Sequence, residues 1–224
     1  MDFMRLLKSL EELLYELASW LVFYPMTLWR TLRRPQAMMR YADVELGDEV
    51  DDQYTDTLSP PMFLLITLLL AHGFELALVR QETPWAPPSF LASDANLLLF
   101  RAVAFSFFPL LMALRLLRHR GIRIDRNTLR RPFYSQCYVA APFALVTSIG
   151  GVLTRIDTPA TVLSGVALFG CAMAWYLTVE TRWFARHLEL PLPRAALMVL
   201  GVMAAALVAV ILAGAVIAFG LASA

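Results

Sequence analysis

The stretch Arg115–Arg131, RLLRHRGIRIDRNTLRR, constrains this chain more than any other part of it. It holds seven arginines, Arg115, Arg118, Arg120, Arg123, Arg126, Arg130 and Arg131, against one acid, Asp125. Apolar segments long enough to cross a bilayer lie on both sides of it. Arginine next to a membrane span is retained on the cytoplasmic side. Placing this loop inside therefore sets the sidedness of every other segment.

Composition agrees with a membrane chain. Of the 224 residues, 59% are hydrophobic and 17% charged, where a soluble domain carries about 25% charged residues. The basic residues are almost all arginine, with Lys8 the single lysine. Cys137 and Cys171 both fall in apolar runs, and no ligand-spaced His or Cys cluster points to a disulfide framework or a metal site. No cofactor is expected. The N-terminal apolar stretch reads as uncleaved, because Glu11, Glu12 and Glu16 interrupt it.

Five spans follow from the apolar runs, at about 61–79, 95–114, 134–153, 160–179 and 195–222. The segments before span one, between two and three, and between four and five hold 6, 7 and 3 Lys/Arg residues. The two opposite connections hold one each, Arg80 and Arg155. This asymmetry predicts a cytoplasmic N-terminus, an external C-terminus and a multi-pass protein; the expected membrane is a bacterial inner membrane. The expected fold is all-α: a polytopic membrane helical bundle of five transmembrane helices, preceded by an N-terminal amphipathic interfacial helix. Residues 1–58 form the cytoplasmic and interfacial part, and 59–224 the transmembrane domain.

Residues 3–24 carry Leu6, Leu7, Leu10, Leu13, Leu14, Leu17 and Leu21 at helical spacing, with Arg5, Lys8, Glu12 and Glu16 on the other face. Such a helix lies in the interface plane. Pro25 is expected to end it. A second short helix, Met26–Arg34, brings Arg30, Arg33 and Arg34 to anionic lipid headgroups. Arg118, Arg120, Arg123, Arg126, Arg130 and Arg131 are candidates for the same lipid, or for a protein partner. Self-association of the chain is an alternative. Nucleic acid is not an expected partner. Residues 41–58 hold Asp43, Glu45, Asp48, Glu49, Asp51, Asp52 and Asp56. They read either as a solvated acidic loop or as a segment that folds back onto the arginine loop.

Ionisable groups inside spans are costly and are the first functional candidates. Span one contains His72 and Glu75, and span two contains Arg101. At about 1.5 Å rise per residue, Glu75 and Arg101 both lie some 7–9 Å below the outer boundary. If the two spans form a tight hairpin, the two residues pair, and His72 at i−3 shares the face of Glu75. One reading is a buried ion pair with His72 hydrogen-bonded to it. The other is a site that handles protons or ions.

Pro109 and Pro142 suggest kinks at similar depth in spans two and three. Such kinks could open a cavity toward the cytoplasm, with Tyr134, Gln136 and Tyr138 at its mouth and Thr147 and Ser148 farther out. Glu180 with Arg182 reads as an interfacial pair ending span four. No phosphate-gripping glycine loop, HExxH or nucleophile elbow is present, so an enzyme is not expected.

Phe23-Tyr24-Pro25-Met26-Thr27-Leu28-Trp29, a proline-led amphipathic piece ahead of the spans, and the arginine-rich approach to Phe133-Tyr134 resemble the Yip family. That family is named for interacting with Ypt/Rab GTPases, and its bacterial branch is permease-like. The architecture read above, five spans with an inside N-terminal region and an outside C-terminus, is similar to that family's as well. No functional residue is carried over from it. Two functions follow as expectations. The first is a non-enzymatic membrane protein that organises lipid or a protein partner through its cytoplasmic loops. The second is a small permease or ion channel using His72, Glu75 and Arg101.

Overall fold

The computed structural model of the protein describes residues 2–49, 52–78, 93–156 and 158–222. Within them there are seven helices and no strand. They are α1 (Asp2–Arg33), α2 (Pro35–Glu45), α3 (Pro60–Leu78), α4 (Asp94–His119), α5 (Arg126–Leu153), α6 (Pro159–His187) and α7 (Leu192–Ala222). The last five are each long and apolar enough to cross a membrane, consistent with a multi-pass membrane protein. The connection between α3 and α4, with Arg80 and Trp85, lies outside the described residues, as does Asp51.

The arginine stretch is mostly helix rather than loop. The α4 helix runs to His119, and Gly121 follows with φ +65°. Ile122 N–H donates to Leu117 O at 3.1 Å and Gly121 N–H to Arg118 O at 3.2 Å, a Schellman ending. The start of α5 is as well defined. Asp125 accepts from the N–H groups of Asn127 (2.8 Å) and Thr128 (2.9 Å). The Thr128 hydroxyl accepts from Asp125 N–H at 3.0 Å, closing a capping box. These backbone donors hold the Asp125 carboxyl below its ordinary range. The seven arginines thus stand at two helix ends and the short turn between them, all exposed.

The central helix is α5, which packs on α2, α3, α4 and α6. The helices α4, α5, α6 and α7 form a ring, each packed on the next, and α3 lies against the outside of α5. The expected tight hairpin of spans one and two is not what forms: α3 packs chiefly on α5 and touches α4 much less. Both α4 and α5 continue through Pro109 and Pro142. Near the end opposite the arginines, α5 and α6 meet backbone to backbone. A Cβ on Gly165 would lie 2.6 Å from Gly150 O, and one on Gly150 would lie 2.9 Å from Gly165 O. Gly165→Ala is therefore expected to push the two helices apart and cost about 1–3 kcal/mol in chemical unfolding.

Two expectations about the N-terminal part are corrected. Pro25 does not end the first helix, because α1 continues to Arg33. Proline costs the helix one hydrogen bond there. Burial on both sides of it offsets that loss: Trp20, Phe23, Tyr24 and Leu28 pack against the core, and Thr27 and Thr31 are fully buried. The acidic segment is a solvated loop only in part, with Asp48, Glu49 and Asp52 exposed. Tyr41–Glu45 belongs to α2, and Asp43 accepts from Ser135 Oγ at 2.8 Å. Asp56 accepts from Arg30 at 2.7 Å and from Tyr41 OH at 2.6 Å. The segment does fold back, onto α1 and the flank of α5. Among the described residues no ion pair joins it to Arg115–Arg131.

These contacts give the segment two opposed pH dependences. Burial raises the Asp43 pKa. Its contribution is therefore full below the ordinary carboxylate range and is lost as pH rises through its folded value. The Tyr41 hydrogen bond, with Arg30, lowers that of Asp56. Its contribution is present above the ordinary value and lost as pH falls through the folded one. Asp43→Asn should remove the part of the decline that sets in as pH rises above the ordinary carboxylate range. Asp56→Asn should cost under about 1 kcal/mol at neutral pH, since the pair is half exposed.

Candidate functional site

The buried face of α3 repeats Leu64, Leu68, Ala71 and Glu75, and it turns Glu75 inward. Arg101 of α4 donates to Glu75 Oε2, as expected from the sequence. A second partner was not expected: Arg155, in the turn after α5, donates to Glu75 Oε1. Side-chain exposure is 9% for Glu75, 16% for Arg101 and 47% for Arg155. The triad carries one positive charge in excess. Arg101 Nη1 is buried with no hydrogen-bond partner among the described residues.

His72 does not join the triad. It is buried, and neither ring nitrogen has a partner among the described residues. Each Glu75 oxygen accepts from an arginine, one from Arg101 and one from Arg155, and neither accepts from His72.

The triad forms the polar end of a cavity of about 330 Å³ inside the ring of α4 to α7. Five phenylalanines stand in its walls, Phe100, Phe105 and Phe108 from α4, Phe143 from α5 and Phe169 from α6, with Met173 beside them. Thr147 and Ser148 supply hydroxyls. Thr147 spends its own on the carbonyls of Phe143 and Ala144. Gly151 lines the cavity too, and a Cβ there would meet nothing within 4 Å. Toward the arginine end, Phe108, Phe143 and Tyr176 close the floor, with Phe143 and Tyr176 stacked 4.6 Å apart.

The cavity therefore lies away from the arginine loop, not open toward it. Of the residues expected to share it, Thr147 and Ser148 do. Pro109, Gln136, Tyr138 and Pro142 are buried in helix packing, and Tyr134 lies on a separate groove with Arg126, Arg130 and Phe133. Tyr138 instead fastens the acidic segment. Its hydroxyl donates to Leu58 O at 2.9 Å and lies 3.3 Å from Thr57 Oγ1.

The basic candidates are spread over one end of the bundle. Arg30 is paired with Asp56. Arg33 lies over Trp29 at 4.8 Å and Arg130 over Tyr134 at 5.4 Å. Arg120 donates to His187 O at 2.9 Å. Arg34, Arg118, Arg123, Arg126 and Arg131 are exposed.

Glu180 is a further correction. It does not form an interfacial pair with Arg182. It is fully buried, while Arg182 is exposed. The α6 helix runs on to His187, so Glu180 sits two turns inside it, on the face of Tyr176, Trp183 and Phe184. That i−4, i+3, i+4 pattern was available in the sequence. Arg155 had a weaker signal, as the lone arginine of the one short turn at that end.

No family model matches the chain, and neither a curated protein nor a solved structure matches it.

Proposed function

We propose that this is a non-enzymatic integral membrane protein that binds an anionic amphiphile in the α4–α7 cavity. The observation that carries the reading is the buried, unpartnered Nη1 of Arg101 beside an aromatic-walled space of about 330 Å³. A phosphate or carboxylate head would bond that nitrogen and offset the triad's excess charge. An acyl or prenyl chain would lie against the phenylalanines. The volume holds roughly ten water-sized groups, enough for a short chain or part of a longer one.

The proposed setting is a bacterial inner membrane, and arginine placement supports a cytoplasmic side for the arginine loop. The exposed leucines of α1, among them Leu10, Leu14 and Leu21, suit a helix lying in the interface. The exposed arginines at that end suit anionic headgroups or a protein partner. A Yip-like architecture belongs to the same proposal and supports no particular partner. The permease or channel reading has less support, because Glu75 is held by two arginines and the aromatic floor separates the cavity from the arginine end.

The test is binding of spin-labelled stearic acid, its methyl ester and spin-labelled phosphatidylglycerol to the protein in neutral-lipid bilayers. An immobilised signal with the acid alone would indicate a free fatty anion, and one with phosphatidylglycerol a phospholipid. Either should weaken about tenfold or more in Arg101→Gln, the loss of one charge-assisted bond. Gly151→Trp should abolish it by filling the cavity. Equal immobilisation of the ester, or no effect of either substitution, would refute the reading. Proton flux in liposomes that Glu75→Gln abolishes would favour a channel instead.

A further inference from the structure

Below the aromatic floor lies a second polar group that the cavity does not use. Glu180, Gln136 and Tyr176 are each 0% exposed. Both oxygens of Glu180, both amide atoms of Gln136 and the Tyr176 hydroxyl have no hydrogen-bond partner among the described residues. Gln136 on α5 and Glu180 on α6 face each other without closing a bond. Buried polar atoms are nearly always satisfied, so this cluster requires an explanation.

No cation supplies one. The surrounding core takes Met39 from α2, Met112 and Leu116 from α4, Val139 from α5, and Ala195 and Val199 from α7. The charged residues of those helices at this level, Arg40, Arg115, Arg118 and Arg194, are exposed, as is Arg182 on α6 itself. Asp43 is bonded to Ser135, and His187 to Trp183 O. Gln36 Nε2 donates to Val179 O at 2.8 Å, and Cys137 lies near Tyr176.

We propose that α5 and α6 form a proton-binding site in which Glu180 is carried as the neutral acid, paired with the Gln136 amide. The acid O–H donates to Gln136 Oε1, and Gln136 Nε2 donates to the other carboxyl oxygen. That ring satisfies four of the five orphaned atoms and needs only side-chain rotation. An ionised Glu180 could accept from Nε2 but would turn its second oxygen against Oε1, acceptor against acceptor. Tyr176 connects this site with the cavity, because its ring stacks on Phe143, which lines the cavity wall. The proton site stands whether or not the cavity takes an amphiphile.

The test compares unfolding midpoints of wild type, Glu180→Gln and Gln136→Leu in detergent from about pH 5 to about pH 9. Glutamine copies the neutral acid. Glu180→Gln should therefore match wild type at the acidic end and exceed it increasingly as pH rises, by roughly 3 °C per pH unit. Asp43 contributes the same slope to both proteins and cancels in the difference. Gln136→Leu should lower the midpoint even at the acidic end. Infrared spectra of the wild type should contain a protonated-carboxyl band that Glu180→Gln removes. Parallel pH profiles, a Glu180→Gln protein that does not fold, or a Gln136→Leu protein as stable as wild type would overturn the proposal. So would stabilisation by sodium that Glu180→Gln abolishes, since the occupant would then be a metal cation.

Discussion

Replacing Glu75 by alanine is expected to destabilise the protein by about 3 kcal/mol, the low end of what breaking a buried pair costs. The effect is asymmetric between its two partners. Arg155, with 47% of its side chain exposed, can turn to water. Arg101 is 16% exposed and already carries an unpartnered nitrogen, so losing Glu75 leaves it nearly bare in an apolar wall. Its length allows some snorkelling toward the helix end, which limits the loss. Arg101→Leu alone should cost less, because Glu75 keeps Arg155. The double substitution Glu75→Ala/Arg101→Leu should be more stable than Glu75→Ala, since the stranded charge is gone. Chemical unfolding of the four proteins gives the coupling directly. A Glu75→Ala protein within about 0.5 kcal/mol of wild type would mean that the triad is hydrated and not a structural joint.

Charge and hydropathy made the framework readable from the chain. Long apolar runs bounded by arginine leave few alternatives to spanning helices, and all five appear, although α5 starts and α6 ends well beyond the expected limits. The pairing of Glu75 with Arg101 was legible for a related reason: rise per residue is fixed, so two positions near one end of antiparallel spans lie at one level. What failed depended on helix neighbours. Arg155 reaches Glu75 only because α5, and not α4, lies along α3. The order of helices around a bundle leaves no mark in a single sequence. Pro25 misled because it sits where packing outweighs one lost hydrogen bond. Glu180 was misplaced by ending its span too early, although its aromatic neighbours on one face marked it as buried.

The two polar groups of the bundle differ in how they meet the cost of burial. At one level a carboxylate is held by two arginines that come from different helices. At the other a carboxyl group has an amide and a phenol for company and no cation. The layer of Phe108, Phe143 and Tyr176 separates them. Phe143 belongs both to that layer and to the cavity wall. Phe143→Ala would open that layer, and the two sites would then share one solvent.

Tyr138→Ala is expected to release the acidic segment from the bundle and cost about 3–5 kcal/mol, the range for emptying a large buried aromatic site. The ring is fully buried and packs against Phe63 at 6.1 Å and Tyr41 at 6.4 Å. Its hydroxyl holds Leu58 O at 2.9 Å. Leu58 N–H in turn donates to Thr27 Oγ1 at 3.2 Å, so one side chain of α5 ties the entry of α3 to α1. Tyr138→Phe keeps the ring and loses only the hydrogen bonds, and should cost about 1–2 kcal/mol. Limited proteolysis separates the two effects. In Tyr138→Ala the segment between Leu46 and Ser59 should be cut many times faster than in wild type, while Tyr138→Phe should resemble wild type. Equal cutting in all three would mean that α2 and the Arg30–Asp56 pair hold the segment without Tyr138. The acids would then be anchored by α1 and α2 alone, and α5 would be only a surface beside them.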